Sequence, residues 1–244
     1  MKRALEEELA HRWPDIFRGR DLPQTHTLAL FGAEHGDGWH SLLDALGDAL
    51  TTHARELRRD PVGAFRIRQE LARLNFIPDR QVDVFERAVV WIARKLSGCI
   101  CELSGAPGKF FHCGNGFSTL APDVAARRGC LPATVELDRQ LPPVPWEELL
   151  RRLPPEALAI IEGPVDIPPG WADVVELLLT ELSRAVVHEG VPTARVRSLL
   201  QRDGRLHLEL DGGRQWDAGA AAFLSAMSVW IDPKTGAAHV PNAN

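Results

Sequence analysis

The chain has 244 residues, 45% of them hydrophobic and 25% charged, and a formal net charge of −5 at pH 7. These values are typical of a soluble globular protein with a hydrophobic core, in one large domain or two smaller ones. The acidic balance argues against a nucleic-acid binder, no apolar run of about 18 residues predicts a membrane span, and the charged N-terminus does not predict a signal peptide. We therefore expect a cytoplasmic protein.

The first half of the chain alternates between helical and extended patterns. Pro14 ends the first predicted helix, and three glycines, Gly32, Gly36 and Gly38, interrupt the chain before a long amphipathic helix. In chain order, the pattern predicts a helix over 6–13, a strand over 25–31, a helix over 39–57, strands over 64–67 and 74–77, and a helix over 82–96.

The same order of patterns returns in the second half. Arg202-Asp203-Gly204 separates two alternating segments and is typical of a hairpin turn. The pattern predicts a strand over 157–161, a helix over 171–187, strands over 194–199 and 205–210, and a helix over 218–230.

Short sequence matches accompany the repeated order. Glu7 to Leu9 recur as Glu147 to Leu149, and Gly38-Trp39 recurs as Gly170-Trp171. Matching order across several elements indicates duplication of one unit. We therefore predict an α+β fold of two tandem, related β-α-β-β-α modules, each with a small, mostly antiparallel sheet covered by helices. The modules are expected over 1–130 and 146–244, joined by a Pro-rich linker over 131–145 and packed with pseudo-twofold symmetry.

Three stretches of the first half, Trp13 to Phe17, Phe31 to Trp39 and Cys101 to Gly108, resemble a family of small uncharacterised proteins widespread in bacteriophage and prophage genomes. The resemblance covers residues 10–128 and includes the family's Gly-Asp-Gly-Trp motif, here Gly36 to Trp39. It implies a fold and a phage origin, but no established activity.

The cysteine knuckle of that family is degenerate in this chain. The family typically has Cys-x-x-Cys-Gly-x-Pro-Gly and a later cysteine after a Thr-Leu pair, which implies a small zinc site. Here Ser104 and Ala121 stand where two of those cysteines are expected. Because a thiolate cage cannot form with two sulfurs replaced, we expect no bound metal or other cofactor.

A rearranged metal site is the alternative for this segment. Cys99, Cys101, His112 and Cys113 are suitable ligand types, although their spacing is not that of the usual knuckles. The other interpretation is that the cysteines pack as small apolar side chains. Cys130 is the fourth cysteine, and the close grouping of the four does not predict a disulfide framework.

A second candidate cluster, Glu34, His35, Asp37 and His40, precedes the long helix. A carboxylate and an imidazole there suit acid/base chemistry. The structural alternative is that Asp37 caps the helix or lies near its N-terminus, Gly36 and Gly38 permit a tight turn, and the tryptophans anchor the packing. The recurrence of Gly170 and Trp171 without the acidic and imidazole groups favours a structural motif made of Gly36, Asp37, Gly38, Trp39, Gly170 and Trp171.

The leading functional hypothesis is a non-enzymatic protein-binding module, an immunity protein that neutralises a cognate bacterial toxin. The acidic charge, the phage-like resemblance and the absence of a catalytic sequence motif favour it. One alternative is a phage-derived, nucleic-acid-associated regulator, with a basic face through Arg55, Arg58, Arg59, Arg66 and Arg68. The other is a small hydrolase-like enzyme that uses Glu34, His35 and Asp37.

Overall fold

The computed structural model of this chain describes residues 1–23, 27–28, 32–114, 116–133, 144–189 and 194–241, except for the side chains of residues 21 and 185–189. These residues form helices and three small sheets. The sheets are mostly antiparallel, so the predicted α+β class is confirmed. Within those ranges, no helix is both long and apolar enough to cross a membrane.

The N-terminal unit is a three-stranded sheet with helices packed on it. Strand β1 (Ala33–Glu34) runs parallel to β2 (Ala64–Glu70). β2 pairs antiparallel with β3 (Arg73–Pro78) through a turn in which Leu71 and Ala72 have positive φ. The strand predicted over 25–31 lies mostly outside the described residues. The strand that runs parallel to β2 is β1, which has two residues and lies in the glycine-rich stretch. The elements are α1 (Arg3–Arg12), β1 (Ala33–Glu34), α2 (His40–Glu56), β2 (Ala64–Glu70), β3 (Arg73–Pro78) and α3 (Val84–Leu96).

Residues 98–133, which we call the cysteine segment, form a second small sheet that the sequence did not predict. It has the strand order β5-β4-β6 and its own core around Cys101, Phe111 and Leu120. Its elements are β4 (Lys109–Cys113), β5 (Gly116–Leu120), α4 (Pro122–Arg127) and β6 (Leu131–Pro132). Because β6 pairs with β4, the predicted linker over 131–145 is wrong at its first two residues, and residues 134–143 of it lie outside the described ranges.

The C-terminal unit repeats the element order of the N-terminal one. Strand β7 runs parallel to β8, which pairs antiparallel with β9. The hairpin turn at Asp203-Gly204 is confirmed, since both residues have positive φ. The elements are α5 (Trp146–Leu150), α6 (Pro155–Ala159), β7 (Val165–Asp166), α7 (Ala172–Glu189), β8 (Arg195–Arg202), β9 (Arg205–Asp211) and α8 (Gln215–Ser228).

The strand predicted over 157–161 is wrong. Those residues lie mostly in α6, and only Ile161 makes a parallel bridge, to Val196. Pro155 explains the difference, because proline is well suited to the first turn of a helix, where its missing N–H costs nothing.

Equivalent hydrogen bonds recur in the two units. The Trp39 indole donates to the Ile100 carbonyl at 2.8 Å, and the Trp171 indole donates to the Ile231 carbonyl at 3.1 Å. Ser97 and Ser228 each accept, at 2.8 Å, the N–H of a residue in the second strand of the hairpin. Topology and contacts therefore match, while the origin of both units by duplication stays a prediction.

The two units pack through helices. α3 lies against α8, and Gly219 permits the close approach, because a Cβ there would lie 2.4 Å from the Phe85 carbonyl oxygen. α2 also contacts α8. One apolar core extends from Leu9 through both sheets to Ala238, so the units share their interior.

Candidate functional site

The Gly-Asp-Gly-Trp stretch fixes the start of α2 against the cysteine segment. The Gly38 N–H donates to the Glu102 carbonyl at 2.8 Å, and a Cβ at Gly38 would lie 2.1 Å from the Cys101 carbonyl oxygen. Trp39 is fully buried. In the C-terminal unit, the Gly170 N–H donates to the Pro233 carbonyl at 2.8 Å, and Trp171 is buried in the same way. Both stretches thus bring backbones together.

Asp37 lies in the 3-10 turn directly before α2, near the helix N-terminus, but is not its N-cap residue. The residue before the 3-10 turn over Asp37–Trp39 is Gly36, and no side chain caps that turn. The Asp37 carboxylate instead accepts the Lys2 N–H at 2.6 Å and lies 3.5 Å from the Lys2 ammonium. The carboxylate therefore ties the N-terminus to this turn.

The side chains of the proposed acid/base cluster have different surroundings. Glu34 forms a two-pronged ion pair with Arg66 at the surface, at 2.8 and 2.9 Å, which lowers the pKa of Glu34. His35 is buried against Trp39, and burial lowers its pKa to about 4. His40 is buried, neither ring nitrogen has a hydrogen-bond partner among the described residues, and burial lowers its pKa as well. Glu34 and His35 therefore do not face one common pocket.

The four candidate metal ligands have different surroundings. Cys101 is buried in the core of the cysteine segment, His112 is exposed on β4 against Phe117, and Cys99 lies three residues after the end of α3. Cys113 forms a disulfide with Cys130, a pairing that the sequence did not predict. Among the described residues, no group of three or more His, Cys, Asp or Glu side chains is arranged to hold a metal ion.

Three of the five arginines of the proposed basic face form ion pairs with acidic side chains. Arg59 forms ion pairs with Asp83 and Glu86, Arg66 with Glu34, and Arg68 with Glu70. These pairs reduce the positive charge that this surface presents to a phosphate backbone.

A cleft of about 340 Å³ lies where the two units meet, and we call it the inter-unit cleft. One wall is the end of α3 with the residues after it, and the other wall is one face of α7. The lining residues are Lys95, Cys99, Asp173, Glu176, Leu177, Thr180, Glu181 and Arg184.

Charges of both signs face each other in this cleft. Glu181 is buried, accepts the Trp91 indole N–H at 3.3 Å, and forms an ion pair with Arg184 at 3.2 Å. The Lys95 ammonium lies 5.5 Å from the centre of the Trp91 ring, and burial lowers the pKa of Lys95. Burial also raises the pKa of the Cys99 thiol to about 12, so this thiol stays neutral near pH 7.

The sequence did not identify this cleft, although one signal was present. On α7, the polar residues 173, 176, 180, 181 and 184 recur at helical spacing. The facing wall comes from a distant part of the chain, so the sequence spacing could not bring it together with α7.

Comparisons of this chain with protein-family models, with curated proteins and with solved structures found no match.

Proposed function

We propose that this chain is a non-enzymatic protein-binding module whose contact surface centres on the inter-unit cleft. The observation that carries the proposal is the cleft itself, with Trp91 40% exposed beside it. Tryptophan is enriched among the residues that contribute most to protein interfaces, and such residues pair with pockets. An exposed indole next to a charged cleft suits a protein surface with a protruding side chain.

The chemistry of the lining supports binding over catalysis. Cys99 contributes a thiol, a potential nucleophile, to the lining of the cleft. The raised pKa of this thiol leaves it protonated and unreactive near neutral pH. Glu181 is engaged by Trp91 and Arg184. The cleft thus offers fixed charges and a small apolar wall, which suit recognition.

The narrower form of the proposal is a cytoplasmic immunity protein that neutralises a cognate bacterial toxin by covering its active site. The net charge of −5 favours a basic partner. The phage origin, which stays a prediction from the sequence, favours a mobile gene cassette, in which such pairs are encoded together.

The test is co-expression with the product of the adjacent gene. We expect that product alone to arrest growth and this chain to restore it. Trp91→Ala should weaken the purified complex about tenfold or more, as loss of a central aromatic contact does. The matched control is Leu131→Ala, which truncates an exposed apolar side chain (68% exposed) of the cysteine segment that does not line the cleft.

Two outcomes contradict the proposal. If the adjacent product is not toxic, or is not neutralised, the immunity role is wrong. If a protein partner binds but Trp91→Ala and Leu131→Ala affect it equally, the cleft is not the contact surface.

A further inference from the structure

The Cys113–Cys130 disulfide joins the end of β4 to the residue directly before β6. Cys130 is 8% exposed and belongs to the core of the cysteine segment, whereas Cys113 is partly exposed. Beyond Cys113, a Cβ at Gly114 or Gly116 would meet no atom of the described part of the chain within 4 Å, the two chain neighbours aside. The Cys113 end of the bond therefore lies next to open space.

The two free thiols of the chain are not placed to attack this bond. Burial raises the pKa of the Cys99 thiol to about 12, and a neutral thiol is not the nucleophile of disulfide exchange. The Cys101 backbone lies beside Gly108, where a Cβ would come within 2.6 Å of its nitrogen. Gly108 directly precedes β4, and Cys113 ends that strand, about 16 Å farther along at ~3.3 Å per residue. An exchange reaction therefore starts from a thiol outside the chain.

The disulfide holds a strand that has few other contacts with its neighbour. Within the described residues, β6 pairs with β4 through two residue pairs, and both residues of β6 are exposed. The Ala133 N–H adds one hydrogen bond, to the Phe110 carbonyl at 3.2 Å. On its other side, β4 pairs with β5 through five residue pairs. Because short, exposed ladders open at a low cost in free energy, the covalent bond at Cys130 is the main constraint on β6.

We propose that the Cys113–Cys130 disulfide is a thiol-exchange site for a low-molecular-weight thiol, and that its opening releases β6 from β4. The thiolate of the small molecule attacks the Cys113 sulfur and forms a mixed disulfide with it. The Cys130 sulfur leaves with the bonding electron pair and takes up a proton. A second small thiolate attacks the outer sulfur of the mixed disulfide, and Cys113 leaves as a thiolate. Two small thiols are thereby oxidised to one disulfide, and the protein disulfide is reduced to two thiols.

The consequence is a strand edge whose availability depends on the thiol concentration. With β6 released, the β4 edge at Phe111 and His112 loses its partner strand, and an unpaired edge is a template for pairing with another chain. In a reducing compartment, small thiols keep such a bond open, and oxidising conditions close it. This inference concerns the cysteine segment and is independent of the protein-binding function proposed for the inter-unit cleft.

The test places the folded, full-length protein in buffers with a series of ratios of reduced to oxidised glutathione. Alkylation of free thiols followed by peptide mass spectrometry should find the mixed disulfide on Cys113 and a free thiol at Cys130. Amide hydrogen exchange followed by NMR reports on the strand. We expect the Ala133 N–H to exchange about tenfold faster or more once the bond is open, while the amides of β5 keep their protection.

Two variants accompany the wild type. The double variant Cys113→Ser with Cys130→Ser should show the fast Ala133 exchange at every glutathione ratio. Cys99→Ser, which keeps the disulfide, should respond to glutathione like the wild type. Circular dichroism checks that each variant is folded.

Three results would overturn the inference. In the first, glutathione does not open the bond in the folded protein. In the second, the bond opens and the Ala133 N–H keeps its protection. In the third, β5 loses protection together with Ala133, which would show that the bond supports the whole sheet and does not control β6 alone.

Discussion

The Asp44 carboxylate accepts the indole N–H of Trp230 at 3.0 Å, although the two residues are 186 positions apart in the chain. Its other oxygen accepts the Trp13 indole N–H at 2.9 Å and lies 3.1 Å from the Arg12 guanidinium. Asp44 is only 2% exposed. One buried carboxylate therefore connects α1 and α2 with the end of the C-terminal unit.

We predict that Asp44→Asn destabilises the protein by about 1–3 kcal/mol, because the new amide group presents a donor where an indole N–H also donates. Urea unfolding monitored by circular dichroism measures the change. A double-mutant cycle with Trp230→Phe should give effects that are not additive, and strict additivity would show that this contact carries no coupling.

The glycines before the two buried tryptophans give a second prediction. Gly38→Ala and Gly170→Ala should each destabilise the protein by about 1–3 kcal/mol or more, because the added Cβ would lie 2.1 and 2.3 Å from a backbone carbonyl oxygen. Gly116→Ala is the control, since a Cβ there would meet no atom of the described part of the chain within 4 Å, its two chain neighbours aside. Thermal unfolding of the three variants decides, and similar losses in all three would count against the close backbone approach.

The third prediction concerns the Cys113–Cys130 disulfide. The bond spans 17 positions, and a loop of that size is stabilised by about 3 kcal/mol through restriction of the unfolded chain. The double variant Cys113→Ser with Cys130→Ser should therefore unfold at a lower temperature than the oxidised protein. Addition of a reductant should lower the unfolding temperature of the wild type to that of the variant and leave the variant unchanged. Free thiols at both positions in the purified, non-reduced protein would contradict the pairing.

The fourth prediction is a pH dependence of stability. Burial lowers the pKa of His35 from 6.5 to about 4, so between these values the unfolded chain binds a proton that the folded chain does not. Stability from this residue is complete above pH 6.5 and declines as the pH falls toward 4, by on the order of 3 kcal/mol.

Urea unfolding at a series of pH values, for the wild type and His35→Gln, isolates that contribution. The variant should lose much of the slope between pH 4 and 6.5, while burial of His40 leaves a residual slope of the same sign. Identical slopes in the two proteins would mean that His35 is not held neutral by burial.

Long elements with strong periodicity were predictable from the sequence. The apolar stripes of α2 and α3 and the Asp203-Gly204 turn each follow from local rules. The strand β1 was not predictable because two residues carry no period, and its pairing with β2 depends on contacts distant in sequence. The strand predicted over 157–161 failed because an apolar run of that length suits either state, and Pro155 favours the helix.

The candidate site was less accessible to prediction than the fold. The glycines and tryptophans of the repeated motif were visible in the sequence. The acid/base cluster was plausible only while Glu34 and His35 were assumed to face the same way. Glu34, in β1, is exposed, whereas His35, which follows β1, is buried. The inter-unit cleft depends on how α3 meets α7, which no local pattern specifies.

Because α3 packs on α8, we expect that neither half of the chain unfolds without the other. Each helix covers apolar surface of the other, and the shared core leaves neither half with a complete interior. We therefore expect the two units to unfold in one cooperative transition. Trp39 and Trp171, one in each unit, should report the same unfolding midpoint. A substitution on the packed face of α3 or of α8 must likewise be accommodated by the other helix.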